Sequence, residues 1–426
     1  MRNRNTFFIA LGILALNFAL GIHMCTWMNF LKEDLHLPVA WVGLVESLRE
    51  TPGMFSVFLV AMMSVFVHRT AAGLCLAVFA VGMAGYFEVS GMHSLVLVSM
   101  VWSLGFHVWA PFSGAMVLDT APPGRVGEHV GRMQSVGYAA NFAGLVLIFG
   151  LGKLWQMGII HVHIYRYAYL LGGIVALGGA AASFFIRRDI GKAPTRRLLW
   201  KREYRLYYLL TFLEGCRKQI FLTLASLVLV KIYNTPVHHI AAMMILYNFA
   251  NWFGSPWVGK AIDRFGQRPI MTINYAGVTL VFLGYSLFNQ WPVLYGLYCM
   301  DNIFNVFNIA LTTYLQRIAP PEDIAPSLGM GMTMNHMASV IVPLVACYVW
   351  STWTIGSPSS SGPASAYACW SARSGWGRRG AVRGVHLDHS AEEAANLNAV
   401  KITSYLPARP VHGPSRRVAR RVDPAF

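Results

Sequence analysis

The stretch "GKAIDRFGQRP", Gly259 to Pro269, separates two long apolar runs at 237–258 and 270–288. Each run can cross about 30 Å of hydrocarbon as a helix that rises about 1.5 Å per residue. The chain must reverse direction within this short charged segment, and Gly266 supplies the backbone freedom that a tight turn needs. We therefore predict two membrane helices joined by a charged turn. Asp263 is expected to pair with a neighbouring Arg or to face the partial positive charge of a helix N-terminus.

Similar apolar runs fill the first 350 residues. The 426-residue chain is 55% hydrophobic and 12% charged, whereas about 25% of the residues of a soluble domain are charged. Because backbone polar groups cannot stay unpaired in lipid, and because the runs are not alternating, the spans are predicted to be helices rather than strands. The eleven predicted spans are 6–30, 40–66, 71–88, 93–118, 130–150, 166–186, 205–230, 237–258, 270–288, 291–316 and 327–350. This pattern predicts an all-α polytopic membrane protein.

The basic residues of the connecting loops predict an orientation. If the N-terminus is cytoplasmic, most loop Lys and Arg residues fall on the inner side, and the outer loops carry only Lys32, Lys153, Arg166 and Lys231. By the positive-inside rule, the N-terminus is cytoplasmic in a plasma (inner) membrane. The net charge of +16 then reflects inner loops that face anionic lipid, and no nucleic-acid partner is expected.

The chain divides into two parts. The longest hydrophilic connection, "RRDIGKAPTRRLLWKREYR" (187–205), follows six spans. The loops "APPGRVGEHVG" (121–131) and "APPEDIAPSLG" (319–329) come after the fourth span of each part and begin alike. We therefore predict a parallel repeat: a six-helix bundle at 1–186, a cytoplasmic linker at 187–204, and a second bundle with five clear helices at 205–350.

The quoted turn resembles a motif of the major facilitator superfamily, G-x-x-x-D-R-x-G-x-R. The matching residues are Gly259, Asp263, Arg264, Gly266 and Arg268. With the span count and the repeat, the resemblance covers residues 1 to about 350. It implies two six-helix bundles related by a pseudo-twofold axis, which rock around a central substrate site, and a gating role for the motif. The first-half loop "SVFVHRTAAG" (64–73) has Ser and His where the motif has Gly and Asp, which weakens the prediction of a second latch.

Three charges lie inside the second span, in "GLVESLRETPGMF" (43–55). Glu46 is three residues from Arg49 and four from Glu50, so the three side chains share one helix face. Arg49 lies about 15 Å below the outer end of the span, where an unpaired Arg is costly. The charges are therefore expected to neutralise one another in part and to face protein or a water-filled cavity. The Pro-Gly pair that follows permits a bend or close packing.

The seventh and tenth spans repeat this feature. "LEGCRKQIF" (213–221) places Glu214, Arg217 and Lys218 on one face, and "YCMDNIFNVFN" (298–308) adds Asp301 and Asn305 at similar depth. One hypothesis is that Arg side chains hold an anionic substrate by charge-assisted hydrogen bonds. Buried carboxyl groups, which keep a proton more readily than in water, would carry the coupling proton. The alternative is that each cluster is a self-satisfied ion pair that fixes helix packing.

The resulting site predictions are as follows. The substrate-binding candidates are Arg49, Arg217, Lys218, Asn17, His107 and Asn305. The proton-coupling candidates are Glu46, Glu50, Glu214 and Asp301. The six cysteines are scattered, so no metal site, disulfide framework or cofactor is predicted.

The favoured function is proton-coupled symport of an organic anion by a monomer in the lipid bilayer. One alternative is an exporter of drugs or cations from the same superfamily. Another is a sensor or scaffold that moves nothing. An enzyme is not expected, because no nucleophile, acid–base or metal constellation lies at an interface.

The composition changes near residue 351. Residues 351–426 are rich in Ser, Gly, Ala, Arg and Pro, and no run there could cross a membrane. The resemblance implies a twelfth helix at this point, which is missing or degraded. We expect the segment to be a shifted reading frame or a disordered basic extension.

Overall fold

The computed structural model describes residues 2–37, 39–158, 164–191, 198–221, 229, 233, 235 and 237–354. The first four residues of the predicted irregular tail (351–426) are instead the end of a helix that continues to Thr354. Residues 355–426 of that tail and residues 192–197 of the predicted linker lie outside the described part. The described residues form α-helices joined by turns, with short 3₁₀ and π segments. The α-helices are α1 (Arg2–Asn29), α2 (Val39–Met54), α3 (Ser56–Met63), α4 (His68–Gly85), α5 (Met92–Thr120), α6 (Val126–Gln156), α7 (Ile164–Ser183), α8 (Arg205–Ile220), α9 (Val237–Phe265), α10 (Gln267–Leu287), α11 (Trp291–Phe304), α12 (Asn308–Ile318) and α13 (Pro321–Thr354).

The all-α prediction is confirmed for the described residues. Ten of the eleven predicted spans each coincide with one helix or with a pair of consecutive helices. The seventh, 205–230, coincides with α8 over 205–220, and most of its remainder lies outside the described residues. Six helices are long and apolar enough by themselves to cross a membrane. Large apolar side chains also point outward, among them Val81, Leu97, Ile174, Trp257 and Leu280. An outer surface of this kind is suited to lipid, and the chain is an integral membrane protein.

The second span is broken at Phe55, between α2 and α3. Pro52 lies inside the last turn of α2, where its ring removes one hydrogen bond of the helix. Gly53 allows a neighbour to approach closely, because a Cβ at this position would overlap the ring of His336 on α13. The predicted bend and the predicted close packing therefore both occur here.

The tenth span is broken by a 3₁₀ turn at Asn305–Phe307, between α11 and α12. The Asn251 amide on α9 donates to the Asn302 carbonyl at 3.0 Å. Irregular backbone at membrane depth needs such internal partners because lipid offers none. An asparagine of the neighbouring α9 therefore satisfies a backbone carbonyl of this span.

Residues Met1–Gly356 form one unit, in which two contacts between the predicted halves are related by the repeat. The fifth span of the first half, α6, packs along the second span of the other half, α9. In the same way, the fifth span of the second half, α13, packs against α2 and α3. This exchange is the arrangement expected for two halves related by a pseudo-twofold axis. The domain boundaries themselves stay a prediction.

The contact of α6 with α9 brings two backbones together. A Cβ at Gly259 would overlap the carbonyl oxygen of Gly127, and one at Gly131 would overlap that of Ser255. The Ser135 hydroxyl donates to the Trp252 carbonyl at 2.7 Å. Small residues at four-residue spacing allow this approach, as in other membrane helix pairs.

Gly259→Ala tests this contact. The added methyl group must displace the α6 backbone, so we expect a loss of about 1–3 kcal/mol of stability and a thermal unfolding midpoint lower by a few degrees in detergent. Gly254→Ala on the same helix is the matched control, because a Cβ there meets nothing within 4 Å. Equal midpoints for the two variants would contradict the close approach.

Candidate functional site

The second half contains a buried ionic network centred on Arg217. Its guanidinium donates to Asp301 Oδ1 at 2.5 Å, to Glu214 Oε1 at 2.6 Å and to Asn305 Oδ1 at 2.7 Å. The Asn308 amide donates to Glu214 Oε1 at 3.3 Å. The side chains of Arg217, Glu214 and Asp301 are at most 9% exposed. The network therefore joins α8, α11 and α12 and holds two carboxylates on one cation.

The first half contains a more open network around Arg49. Arg49 donates to Glu46 Oε2 through Nε at 3.1 Å and forms an ion pair with Glu50 Oε1 at 2.8 Å. The Trp27 indole N–H donates to the other oxygen of Glu46. The guanidinium also lies over the Trp102 ring, with its carbon 5.3 Å from the ring centre. This arrangement satisfies the three charges of α2 almost entirely within the first half.

Glu50 carries this network across to the second half. The second carboxylate oxygen of Glu50 lies 2.8 Å from Nδ1 of His336 on α13. The His336 ring meets the His107 ring edge-on, with centres 4.3 Å apart. Glu50, His107 and His336 thus link α2 and α5 of the first half to α13 of the second.

A cavity of about 390 Å³ lies between helices of both halves. Its polar and aromatic lining is uncharged: Asn17, Trp109, Ser113, Gln134, Tyr138 and Thr312. The Oε1 atom of Gln134 is buried and has no hydrogen-bond partner in the described part of the chain. The cavity therefore offers several hydrogen-bonding groups, one of which lacks a partner, and the flat aromatic ring of Trp109.

Both ionic networks come within about one helical turn of this cavity. Ala110, in the cavity wall, follows His107 by three residues on α5. Thr312, also in the wall, follows Asn308 by four residues on α12, and its hydroxyl donates to the Asn308 carbonyl at 3.3 Å. The networks border the cavity, but their charged side chains do not line it.

The predicted site residues thus fall into groups. Asn17 lines the cavity. Arg49, Arg217, Asn305 and the four candidate carboxylates lie in the two networks, and His107 lies beside Glu50. Lys218 is exposed. That Arg49 and Arg217 hold substrate stays a prediction, and each guanidinium already pairs with two carboxylates.

Sequence reasoning missed the partners that come from distant segments. Trp27 and His336 were not among the site candidates, and neither was Gln134. A polar residue in an apolar run was the only signal for His336 and Gln134. Trp27 gave none, because a Trp near a membrane interface is common.

The G-x-x-x-D-R-x-G-x-R motif, between Gly259 and Arg268, contacts the first half directly. Asp263 accepts hydrogen bonds from the backbone N–H groups of Gly127 and Glu128, both at 2.7 Å. These groups are in the first turn of α6, so the carboxylate caps a helix N-terminus, as one of the two sequence alternatives proposed. Gly266 has φ of +84° and makes the turn into α10. Arg264 and Arg268 are exposed beside this turn.

In the described part of the chain, the side-chain hydrogen bonds of the equivalent first-half loop (64–73) stay within the first half. The Arg69 guanidinium donates to the carbonyls of Phe184 and Ile186, each at 2.8 Å. Both carbonyls follow the end of α7 in the same half. His68, at the position of the motif Asp, is buried against Phe112. The departure from the motif thus coincides with a contact inside one half.

Known proteins share parts of this sequence. A family model described as Major Facilitator Superfamily matches residues 207–357. The matched segment, in the second half of the chain, is similar to the major facilitator superfamily. An uncharacterized MFS-type transporter of Methanocaldococcus jannaschii is 29% identical over 111 residues, which is 26% of this chain and 28% of that protein. The alignment therefore spans little more than a quarter of that relative.

Solved structures of the superfamily share the fold. A variant of the E. coli fucose:proton symporter FucP matches with a TM-score of 0.64 and 12% identity, over 82% of this chain and 92% of that one. The human organic anion transporter MFSD10 matches at 0.59 and 15%, over 82% and 94%. The nucleoside transporter NupG, as a mutant, matches at 0.55 and 12%, over 82% and 92%. At these identities the matches establish the fold alone.

Arg217→Met is expected to destabilise the protein strongly. It leaves Glu214 and Asp301 buried without their cation, at a cost of about 3–5 kcal/mol. Lys218→Met is the matched control, since this neighbour is exposed and forms no ion pair among the described residues. Thermal unfolding in detergent should give a midpoint well below wild type for Arg217→Met and near wild type for Lys218→Met. Similar midpoints would contradict the buried network.

Proposed function

We propose that the protein is a secondary transporter of a small polar solute that works by alternating access. The N-terminus would be cytoplasmic and the membrane the plasma (inner) membrane, as the loop charges indicate. Two helical bundles that rock about a central site are the mechanism typical of this architecture.

The cavity carries this proposal. It is lined by α1, α5 and α6 of the first half and by Thr312 of the second, and its volume of about 390 Å³ is in the lower range of small-molecule sites. Gln134 Oε1, buried without a partner, is a group that a bound solute would satisfy. The cost of an unsatisfied buried acceptor is then recovered when the solute donates a hydrogen bond.

The lining favours an uncharged polar solute of sugar or nucleoside size. Hydrogen-bonding groups surround the Trp109 ring, and a ring of this kind can cover the apolar face of such a molecule. The fold matches to a fucose symporter and a nucleoside transporter agree with this class. An organic anion is the second candidate. It is favoured by the exposed ammonium of Lys218 and by the match to an organic anion transporter.

The networks support proton coupling. Glu50 links the halves through His336, and Asp301 and Glu214 share the single cation Arg217. Two carboxylates on one guanidinium leave one net negative charge in a buried site, which a bound proton would neutralise. Proton binding at either network would weaken a contact that joins helices, which is how it would bias the two conformations.

Transport into proteoliposomes tests the proposal. The panel contains labelled hexoses, nucleosides and carboxylates, each with and without an inward proton gradient. We expect gradient-driven uptake of an uncharged polar solute, with KM raised about fivefold in Gln134→Leu because one neutral hydrogen bond is worth about 1 kcal/mol. Gln290→Leu, at an exposed position, is the control.

The other outcomes separate the alternatives. Uptake of carboxylates that is lost in Lys218→Met would favour the organic anion. Active extrusion of cationic dyes would favour the exporter. Absence of transport for every compound in the panel would favour the sensor or scaffold and contradict the proposal.

The motif is proposed to close the inner side of the pathway. Asp263→Ala removes two hydrogen bonds from the first turn of α6, a change typically worth about 1–2 kcal/mol for a helix cap. We expect faster maleimide labelling, from the cytoplasmic side, of a cysteine introduced at the cavity residue Ser113. Asp189→Ala, which removes an exposed pair with Arg187, is the control. Unchanged labelling would exclude a closing role for Asp263.

A further inference from the structure

Three potential metal ligands from three helices converge where α13 meets the first half. One ring nitrogen each of His107 and His336 and a carboxylate oxygen of Glu50 lie within 4.8 Å of one another. Both histidines are buried, whereas Glu50 is partly open. Zinc binds imidazole nitrogen and carboxylate oxygen at about 2.0–2.2 Å. Side-chain rotations that move the ligand atoms by about 1 Å would therefore bring all three within reach of one ion.

Neighbouring groups hold these ligands in place by hydrogen bonds and an ion pair, as the groups around the ligands of known metal sites do. The Nδ1–H of His107 donates to its own-helix carbonyl at Ser103, 2.7 Å away. This fixes the tautomer with the lone pair on Nε2, the usual device by which a backbone carbonyl prepares a ligating histidine. Arg49 holds one oxygen of Glu50 at 2.8 Å, which leaves the other oxygen directed to His336.

We infer that Glu50, His107 and His336 form a binding site for a divalent transition-metal ion of the Zn²⁺ or Co²⁺ type. Two imidazoles and one carboxylate suit such borderline ions, whereas Ca²⁺ and Mg²⁺ prefer oxygen ligands alone. Three protein ligands leave a further position for water or another ligand. The inference does not depend on the proposed transport, because binding is measured on the purified protein at rest.

The position of the site predicts a mechanical effect. Glu50 and His107 belong to the first half, and His336 belongs to α13 of the second. A metal ion held by all three would fasten α13 to α2 and α5. Bound metal is therefore expected to raise the thermal unfolding midpoint, since a ligand that binds only the folded state stabilises it.

The experiment titrates the full-length protein with Co²⁺ and Zn²⁺, after purification in detergent through a tag without histidine. We expect one equivalent of Co²⁺ with visible d–d absorption and a higher unfolding midpoint with Zn²⁺. His107→Asn, His336→Asn and Glu50→Gln should each weaken this binding by about tenfold or more and abolish the midpoint shift. His68→Asn, which alters another buried histidine, should bind as wild type.

Folding and binding defects are separated by gel filtration and by the midpoint without metal. A variant that is monodisperse, unfolds near the wild-type temperature and still binds Co²⁺ with wild-type affinity would overturn the inference.

Discussion

Charge inside a membrane must be neutralised within the reach of a side chain, and this constraint organises the centre of the molecule. A lone guanidinium or carboxylate there is costly by any scale. Arg217 and its partner Glu214 therefore draw α11 and α12 onto α8 through Asp301 and Asn308. Arg49 keeps the charges of α2 within the first half except at Glu50. The oxygen of Glu50 that Arg49 does not occupy contacts the second half at His336.

The two contacts between the halves lie at equivalent places in the repeat but depend on different kinds of interaction. Where α6 meets α9, glycine backbones touch and Asp263 caps the helix. Where α13 meets α2, Gly53 again allows close approach, but the contact is made by titratable rings and a carboxylate. A backbone contact depends little on protonation, whereas an imidazole–carboxylate contact changes with the occupancy of a proton or a metal ion. The second contact is thus the more responsive of the two.

The sequence predicted the elements well and the site only in part. Continuous apolar runs predicted the eleven spans, and spacing alone paired Glu46 with Arg49 and Glu214 with Arg217, because residues three apart on a helix are neighbours. The break at Phe55 followed from the Pro-Gly pair. The cavity could not be predicted in this way, since its lining comes from four helices whose rotation is fixed by packing. The Glu50–His107–His336 cluster was missed for the same reason. Metal spacing rules detect ligands on one segment, whereas these three come from distant helices.

A hydrogen-bonded path links the cavity to the network around Arg217. A single turn of α5 separates the cavity from His107, beside the network around Arg49. From Thr312 in the cavity wall, the path runs to the Asn308 backbone, and the Asn308 amide reaches Glu214. On the other side, Ala110 and His107 lie on the same face of α5. A solute that displaces either wall must therefore strain a contact that neutralises charge. Because a buried ion pair loses far more when one partner moves away than an apolar contact does, small shifts at the cavity have large consequences at the networks. In the proposed transport cycle, that asymmetry would couple solute and proton without a shared binding residue.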